Sequence, residues 1–217
     1  MASHLADLAE TQYVDGPSSR FAYRRLGPRS GVSLVMAMRF RGTIDHWDPA
    51  LLDVLSSERD VIVFDNRGTG RSSGAPPTTL EGLAEGLFEF VDSLNLREVD
   101  LLGWSMGGYI VQIAALLRTA FARRLIVAGS GPGRVPDMPP RPDKVERLAA
   151  KPVNDDEDFL YLFFPDTDQA RQAGLASLRR LDTRLGVSHA AVAPEAVELL
   201  AFGKQLLERR GASEDVQ

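Results

Sequence analysis

The chain has 217 residues, of which 44% are hydrophobic and 25% are charged, and its formal net charge is -5 at pH 7. This balance is typical of a globular protein in water, and the negative charge gives no reason to expect nucleic acid or an anionic membrane as a partner. Because the chain has no cysteine and its histidines, His4, His46 and His189, are far apart, we expect no disulfide, no metal site and no cofactor.

The first ten residues carry no signal-peptide pattern, and no apolar run is long enough to cross a bilayer, so the sequence predicts a cytoplasmic protein. Short runs with the composition of strands follow at 11–14, 20–26, 33–38, 61–64, 99–102 and 124–129. The first two are separated by a Gly-Pro turn, which predicts a hairpin. Helical patterns lie between the later runs, at 49–57, 79–94 and 109–117. This alternation predicts an α/β protein with a mostly parallel sheet and flanking helices.

A Gly-x-Ser-x-Gly-Gly pattern with Ser105 at its centre joins the fifth strand-like run to the next helix. In this context the pattern is typical of a nucleophile elbow, a sharp turn that exposes a serine hydroxyl at the sheet edge. Side chains at Gly103 and Gly107 would collide, because the turn brings the strand end close to the first turn of the helix. The turn also directs the Met106 N–H, at the helix N-terminus, toward the place where an oxyanion would form.

The composition changes after Pro136, where a proline-rich linker is followed by helical patterns without a convincing strand. We therefore predict an α/β core over residues 1–134 and a helical cap over residues 135–217. Within the cap, residues 156–164 are rich in aromatic and leucine side chains, and Thr167 is expected to cap a helix running to about residue 181. Pro194 is expected to begin a further helix.

These features resemble the α/β-hydrolase superfamily, and especially its cofactor-free haloperoxidase-like and small carboxylesterase members. The likeness rests on the strand-rich start, the Asp-x-Arg-Gly-x-Gly-Arg-Ser turn at 65–72, the serine elbow and the helical cap. It implies that Ser105 is the nucleophile for a small ester or acyl substrate. It also implies that the backbone N–H groups of Met106 and Phe40 hold the oxyanion and that Trp104 and Phe40 line the substrate site.

The chain departs from the family pattern in two places. Met38-Arg39 stands where the family commonly has His-Gly before the oxyanion residue. The family's catalytic acid and histidine follow a seventh and an eighth strand, and the sequence to Gln217 shows neither. The resemblance therefore predicts an incomplete, C-terminally truncated fold without its last two strands, with weak or no activity. It also predicts an exposed sheet edge that supports a homodimer or binds a partner chain.

No histidine occupies the family's position for the general base. His46 is expected to hydrogen-bond within its own loop, and His189 to lie between cap helices. Asp65 is expected to hold the backbone of its turn and to pair with Arg67 or Arg71. Two alternatives to the hydrolase stay open: a non-catalytic small-molecule-binding module on the same fold, and a chain completed by a partner that supplies the last strands.

Overall fold

The computed structural model describes residues 4–133, 142–151 and 153–186. Within these ranges, six strands form one sheet: β1 Gln12–Asp15, β2 Arg20–Leu26, β3 Leu34–Ala37, β4 Val61–Phe64, β5 Val99–Trp104 and β6 Ala122–Ala128. The α-helices are α1 Leu5–Leu8, α2 Pro49–Ser56, α3 Leu80–Ser93, α4 Met106–Leu117, α5 Asp143–Ala150, α6 Asp156–Phe163 and α7 Asp168–Leu185. A short 3₁₀ helix spans Ile44–His46.

The strands lie in the order β1-β2-β4-β3-β5-β6. The first two form an antiparallel hairpin, and β2 runs antiparallel to β4. The remaining neighbours, β3 with β4, β3 with β5 and β5 with β6, are parallel. The predicted fold class, a mostly parallel sheet with flanking helices, is therefore confirmed. Since β3 and β5 are adjacent, the loop after β3 lies beside the turn that follows β5.

Side-chain caps begin the helices where the sequence predicts. Asp48 Oδ1 accepts a hydrogen bond from the Ala50 N–H at 2.9 Å, and Thr79 Oγ1 accepts one from the Gly82 N–H at 2.9 Å. Thr167 Oγ1 caps α7 in the same way, and that helix ends at Leu185, about one turn later than the sequence indicates. Each cap satisfies a backbone donor that the helix itself leaves unpaired.

Both faces of the central strands are buried, which is why β3 and β4 read as continuous apolar runs. On one face, Val35 and Ala37 of β3 pack with α3 and α4; on the other, Leu34 and Met36 pack with α1, α2 and Trp47. The apolar side chains of α3 that share one face are buried: Leu83, Leu87, Phe90 and Val91. Phe90 stacks on Phe64 of β4 with ring centroids 4.4 Å apart.

Helix α7 is fastened to the core by polar contacts. Arg180 donates from Nε and Nη2 to the two carboxylate oxygens of Asp48, at 2.8 and 2.6 Å, and the Ser177 hydroxyl donates to Asp48 at 2.6 Å. The Arg184 guanidinium donates to backbone carbonyls of the segment around α1, including that of Ala9 at 2.9 Å. The predicted boundary between residues 134 and 135 and the helix expected after Pro194 lie outside the described residues.

Candidate active site

Ser105 occupies the turn between β5 and α4 with φ +53° and ψ -116°. Positive φ is strained for a residue with a Cβ, and such strain persists only where surrounding structure holds it. Two backbone hydrogen bonds do so: the Ser105 N–H donates to the Ala128 carbonyl at 2.9 Å, and the Gly108 N–H donates to the Ser105 carbonyl at 2.9 Å. The Ser105 side chain does not cap α4, so its hydroxyl is not committed to the helix N-terminus.

Glycines make this turn sterically possible. A Cβ at Gly103 would overlap the Gly107 carbonyl, and one at Gly107 would overlap the backbone carbonyl of Ala37 at the end of β3. A Cβ at Gly108 would meet the Ser130 side chain. A side chain at Gly103 would thus collide within the turn, as expected from the sequence. A side chain at Gly107 would collide with β3 and not with the strand before Ser105, because the first turn of α4 lies directly against the end of β3.

The two residues with predicted oxyanion N–H groups, Phe40 and Met106, line the same small cleft. The cleft lies between the loop after β3 and the start of α4, and Asn66, Pro76 and Leu83 form part of its far wall. Neither Ser105 nor Trp104 lines it. The structure thus brings Phe40 and Met106 together and places Trp104 elsewhere.

Trp104 lies instead in an aromatic cluster between the core and the cap. Its ring centroid is 6.1 Å from that of Trp47 and 5.2 Å from that of Phe163 on α6. Phe159, one turn earlier on α6, stacks on Phe163 at 6.0 Å. The aromatic run at 156–164 therefore packs against the core through Phe163. Arg39 also belongs to this cluster, which the sequence did not predict.

The described histidines are engaged away from Ser105. His46 Nδ1 accepts a hydrogen bond from the Thr43 N–H at 2.9 Å and lies 3.0 Å from Thr43 Oγ1. Burial, followed by the positive charge of Arg39, lowers the pKa of His46 to about 4, so this imidazole is neutral at pH 7. His4 pairs with Asp53 at 3.0 Å beside α1. His46 therefore bonds within its own loop as expected, and His189 lies outside the described residues.

Asp65 holds backbone in the loops next to the site. Its Oδ1 accepts from the Ile44 N–H at 2.8 Å and its Oδ2 from the Arg71 N–H at 2.9 Å. Burial raises the pKa of Asp65 to about 6, and these two hydrogen bonds oppose that rise. The backbone role predicted for Asp65 is therefore present. The Arg71 guanidinium bonds Asp45 at 2.6 Å, and the Arg67 guanidinium donates to Ser18 Oγ at 3.2 Å.

Comparison with known proteins identifies the family to which this chain belongs. Residues 40–205 match the family model described as the alpha/beta hydrolase fold. The chain belongs to the α/β-hydrolase family. A solved α/β-hydrolase fold protein from Chitinophaga pinensis is 35% identical, with a TM-score of 0.81, over 89% of this chain and 70% of that one.

Curated relatives of this α/β-hydrolase are more distant. The 3-oxoadipate enol-lactonase 1 of Acinetobacter baylyi is 29% identical over 48% of this chain and 39% of its own length. The proline iminopeptidase PfmaB of Pestalotiopsis fici is 26% identical over 66% of this chain and 54% of its own length. The alignments thus span about half or less of each of these two relatives.

Neither a metal-binding cluster nor a membrane-spanning helix is present in the described part of this α/β-hydrolase. Across residues 4–133, 142–151 and 153–186, no group of three histidine, aspartate or glutamate side chains could hold a metal ion. No helix in those ranges is both long and apolar enough to cross a membrane.

Proposed function

We propose that this α/β-hydrolase cleaves a small ester or acyl substrate through a covalent intermediate on Ser105. The observation that carries the proposal is the positive φ of Ser105. The residue lies in a turn between a buried strand and a helix, and glycines on both sides leave room for this turn. A strained serine at such a turn has no evident structural purpose, whereas presenting a hydroxyl at the sheet edge accounts for it.

In the proposed reaction, Ser105 Oγ attacks the substrate carbonyl and a histidine takes its proton. The tetrahedral oxyanion is stabilised by the backbone N–H groups of Met106 and Phe40, two residues that line one cleft. The intermediate then expels the alcohol, which receives the proton, and water hydrolyses the acyl-enzyme. Relatives named as an enol-lactonase and an iminopeptidase favour acyl chemistry of this kind.

The described histidines bond groups other than Ser105. Among the described histidines, His4 bonds Asp53 and His46 bonds Thr43, and neither bonds Ser105. Serine is a poor nucleophile without an adjacent base, so we expect weak turnover from these residues. Covalent labelling of the serine is therefore a sharper readout than steady-state hydrolysis.

The test is labelling of the full chain with a fluorophosphonate, read by intact mass, together with hydrolysis of 4-nitrophenyl acetate. We expect a single adduct on the native protein and none on Ser105→Ala. Hydrolysis by this variant should be slower by about 100-fold or more, because the reacting oxygen is removed. Ser57→Ala is the matched control, since Ser57 is exposed at the end of α2 and bonds only the Val54 carbonyl. Equal labelling of native protein and Ser105→Ala would overturn the proposal. Ligand binding without any adduct would favour the binding module.

A second proposal concerns β6, and we propose that this strand pairs with its counterpart in a second copy of the chain. Within the described residues β6 is bonded to β5 alone and forms the outer strand. Its central apolar side chains are exposed, Leu125 and Ile126 at 41% and Val127 at 37%. Exposed apolar edge strands favour intermolecular pairing, and a two-fold axis lets identical strands meet.

We expect sedimentation velocity to show a dimer at micromolar concentration and Ile126→Lys to shift the protein toward monomer, because a charge on an edge strand opposes pairing. Leu5→Lys, at an exposed apolar residue on α1 away from the sheet edge, should leave the dimer intact. A native protein that stays monomeric at every concentration would contradict this proposal.

The predicted cytoplasmic location stays a prediction.

A further inference from the structure

Arg39 is a buried cation beside the proposed nucleophile. It follows β3 by two residues, directly precedes Phe40, and is only 8% exposed. Arg39 stands where the family commonly has a glycine, which has no side chain. The structure shows where the arginine side chain lies. Its guanidinium carbon is 5.6 Å from the ring centroid of Trp104, the residue before Ser105.

Aromatic rings from the cap complete the surroundings of this guanidinium. The Phe159 and Phe163 centroids on α6 lie 5.3 and 5.5 Å from its carbon, close enough for cation–π attraction. The Arg39 Nη1 donates to the Phe40 carbonyl at 2.9 Å. An arginine carries five N–H donors, so this one bond leaves most of its donor capacity unused within the described residues.

No carboxylate contacts Arg39 in the described part of the chain, whereas Arg24 and Arg25 on strand β2 each pair with an aspartate. The charge that acts on it is that of Arg41, which is of like sign. Burial, and then Arg41, lower the pKa of Arg39 to about 10, so the side chain still carries its charge at pH 7. A charge in this position is costly to bury unless an anion accompanies it.

We propose that Arg39 binds a carboxylate on the substrate, so that the preferred substrates are small esters whose acyl part ends in a carboxylate. This inference rests on the function proposed for Ser105. The planar guanidinium can pair with a carboxylate through two parallel hydrogen bonds. In a chain with a net charge of -5, this guanidinium also provides a local attraction for an anion that the rest of the protein repels.

The test compares two esters of equal length on the full chain. One is 4-nitrophenyl hydrogen glutarate, which carries a free carboxylate, and the other is 4-nitrophenyl pentanoate, which has a methyl group there. We expect kcat/KM to favour the glutarate ester in the native protein and the ratio of the two values to fall about 10- to 100-fold in Arg39→Gln. Arg39→Lys, which keeps the charge but not the fork, should lose only part of the preference.

Arg29→Gln is the control for net charge, because Arg29 is exposed in the loop that leads into β3 at the opposite sheet edge. It should keep the native preference. A native protein without preference for the glutarate ester would overturn the inference. So would an Arg39→Gln variant that slows both esters equally, since that outcome assigns Arg39 to joining the cap and core alone.

A binding measurement separates this inference from the function proposed for Ser105. Free glutarate is titrated into the native protein and Ser105→Ala while the Nε–H resonance of Arg39 is followed by NMR. We expect a saturable shift in both proteins, and no such shift with neutral dimethyl glutarate. If fluorophosphonate does not label Ser105 but glutarate still moves Arg39, the nucleophile is wrong and the carboxylate site stands. If Ser105 is labelled and glutarate does not move Arg39, the carboxylate site is wrong.

Discussion

Gly107→Ala is expected to destabilise the fold of this α/β-hydrolase strongly. A Cβ at this position would overlap the backbone carbonyl of Ala37 and press on that of Met38. Overpacking a core typically costs about 1–3 kcal/mol when side chains can move aside, and we expect at least about 3 kcal/mol here because the obstacles are backbone atoms. Ala37 belongs to β3, a central strand bonded to β4 and β5 on its two sides, so it cannot shift without breaking the sheet.

Urea unfolding followed by circular dichroism measures this loss as a fall in the unfolding free energy. Gly131→Ala is the matched control, because Gly131 lies in the nearby loop after β6 and its added Cβ would have Tyr109 Oη, 4.0 Å away, as its nearest neighbour. That variant should unfold within about 0.5 kcal/mol of the native protein, as surface substitutions away from special features usually do. If Gly107→Ala were as stable as Gly131→Ala, the close approach of α4 to β3 would be wrong.

The elbow could be predicted from sequence because its determinants are local. All of them lie in one continuous segment of the chain: the apolar run before Ser105, the glycines at 103 and 107, and the apolar helix that follows. Each follows from a steric or periodic rule that needs no knowledge of distant residues. The same holds for the caps at Asp48, Thr79 and Thr167, whose side chains bond backbone groups two or three residues later.

The partners of buried charges could not be predicted in the same way. The sequence places Arg67 and Arg71 just after Asp65 and favours pairing of their side chains with it. That carboxylate instead accepts from two backbone N–H groups, that of Arg71 in the same turn and that of Ile44 in the loop after β3. The Arg71 guanidinium reaches Asp45 instead, 26 residues away along the chain. Such a choice depends on how two loops pack, and short-range patterns carry no information about that.

Trp104 shows a related limit on the substrate-site predictions. Its position before the serine predicts a wall of the substrate site, yet its ring packs with Trp47 and Phe163 while Phe40 and Met106 line the cleft. The direction of this side chain is set by α6, which follows it by about fifty residues in the sequence and covers it in the fold. The roles of Phe40, Trp104, Ser105 and Met106 remain predictions for the experiments above.

Asp45→Ala is expected to cost about 3–5 kcal/mol of unfolding free energy, because it removes the carboxylate that a buried guanidinium requires. Asp45 is 2% exposed, and Arg24, which donates to its Oδ1 at 2.6 Å, is 4% exposed. Arg71 donates to its Oδ2 at 2.6 Å and is more accessible to water. The variant therefore leaves the charge of Arg24 buried without this anion, whereas Arg71 can regain hydration.

A smaller effect opposes this loss. The charge of Asp45 helps to raise the pKa of Asp65, so its removal makes the ionised form of Asp65 less costly. The relief is minor beside the buried arginine, since burial is the largest cause of the raised pKa of Asp65 and is unchanged by the substitution. The net result remains strongly destabilising.

Asp92→Ala provides the matched control for Asp45→Ala. Asp92 also accepts from an arginine, with Arg118 Nη1 and Nη2 at 2.8 and 3.0 Å, but the two side chains are 52% and 44% exposed. An exposed pair of this kind contributes about 1 kcal/mol or less, because water replaces the lost partner. Urea unfolding of both variants at pH 7 measures the difference. If Asp45→Ala loses no more stability than Asp92→Ala, the buried network of Arg24, Asp45 and Arg71 does not hold the loop after β3 in place. If its loss is several times larger, burial sets the contribution of each carboxylate, because the two sites share the same ion-pair geometry.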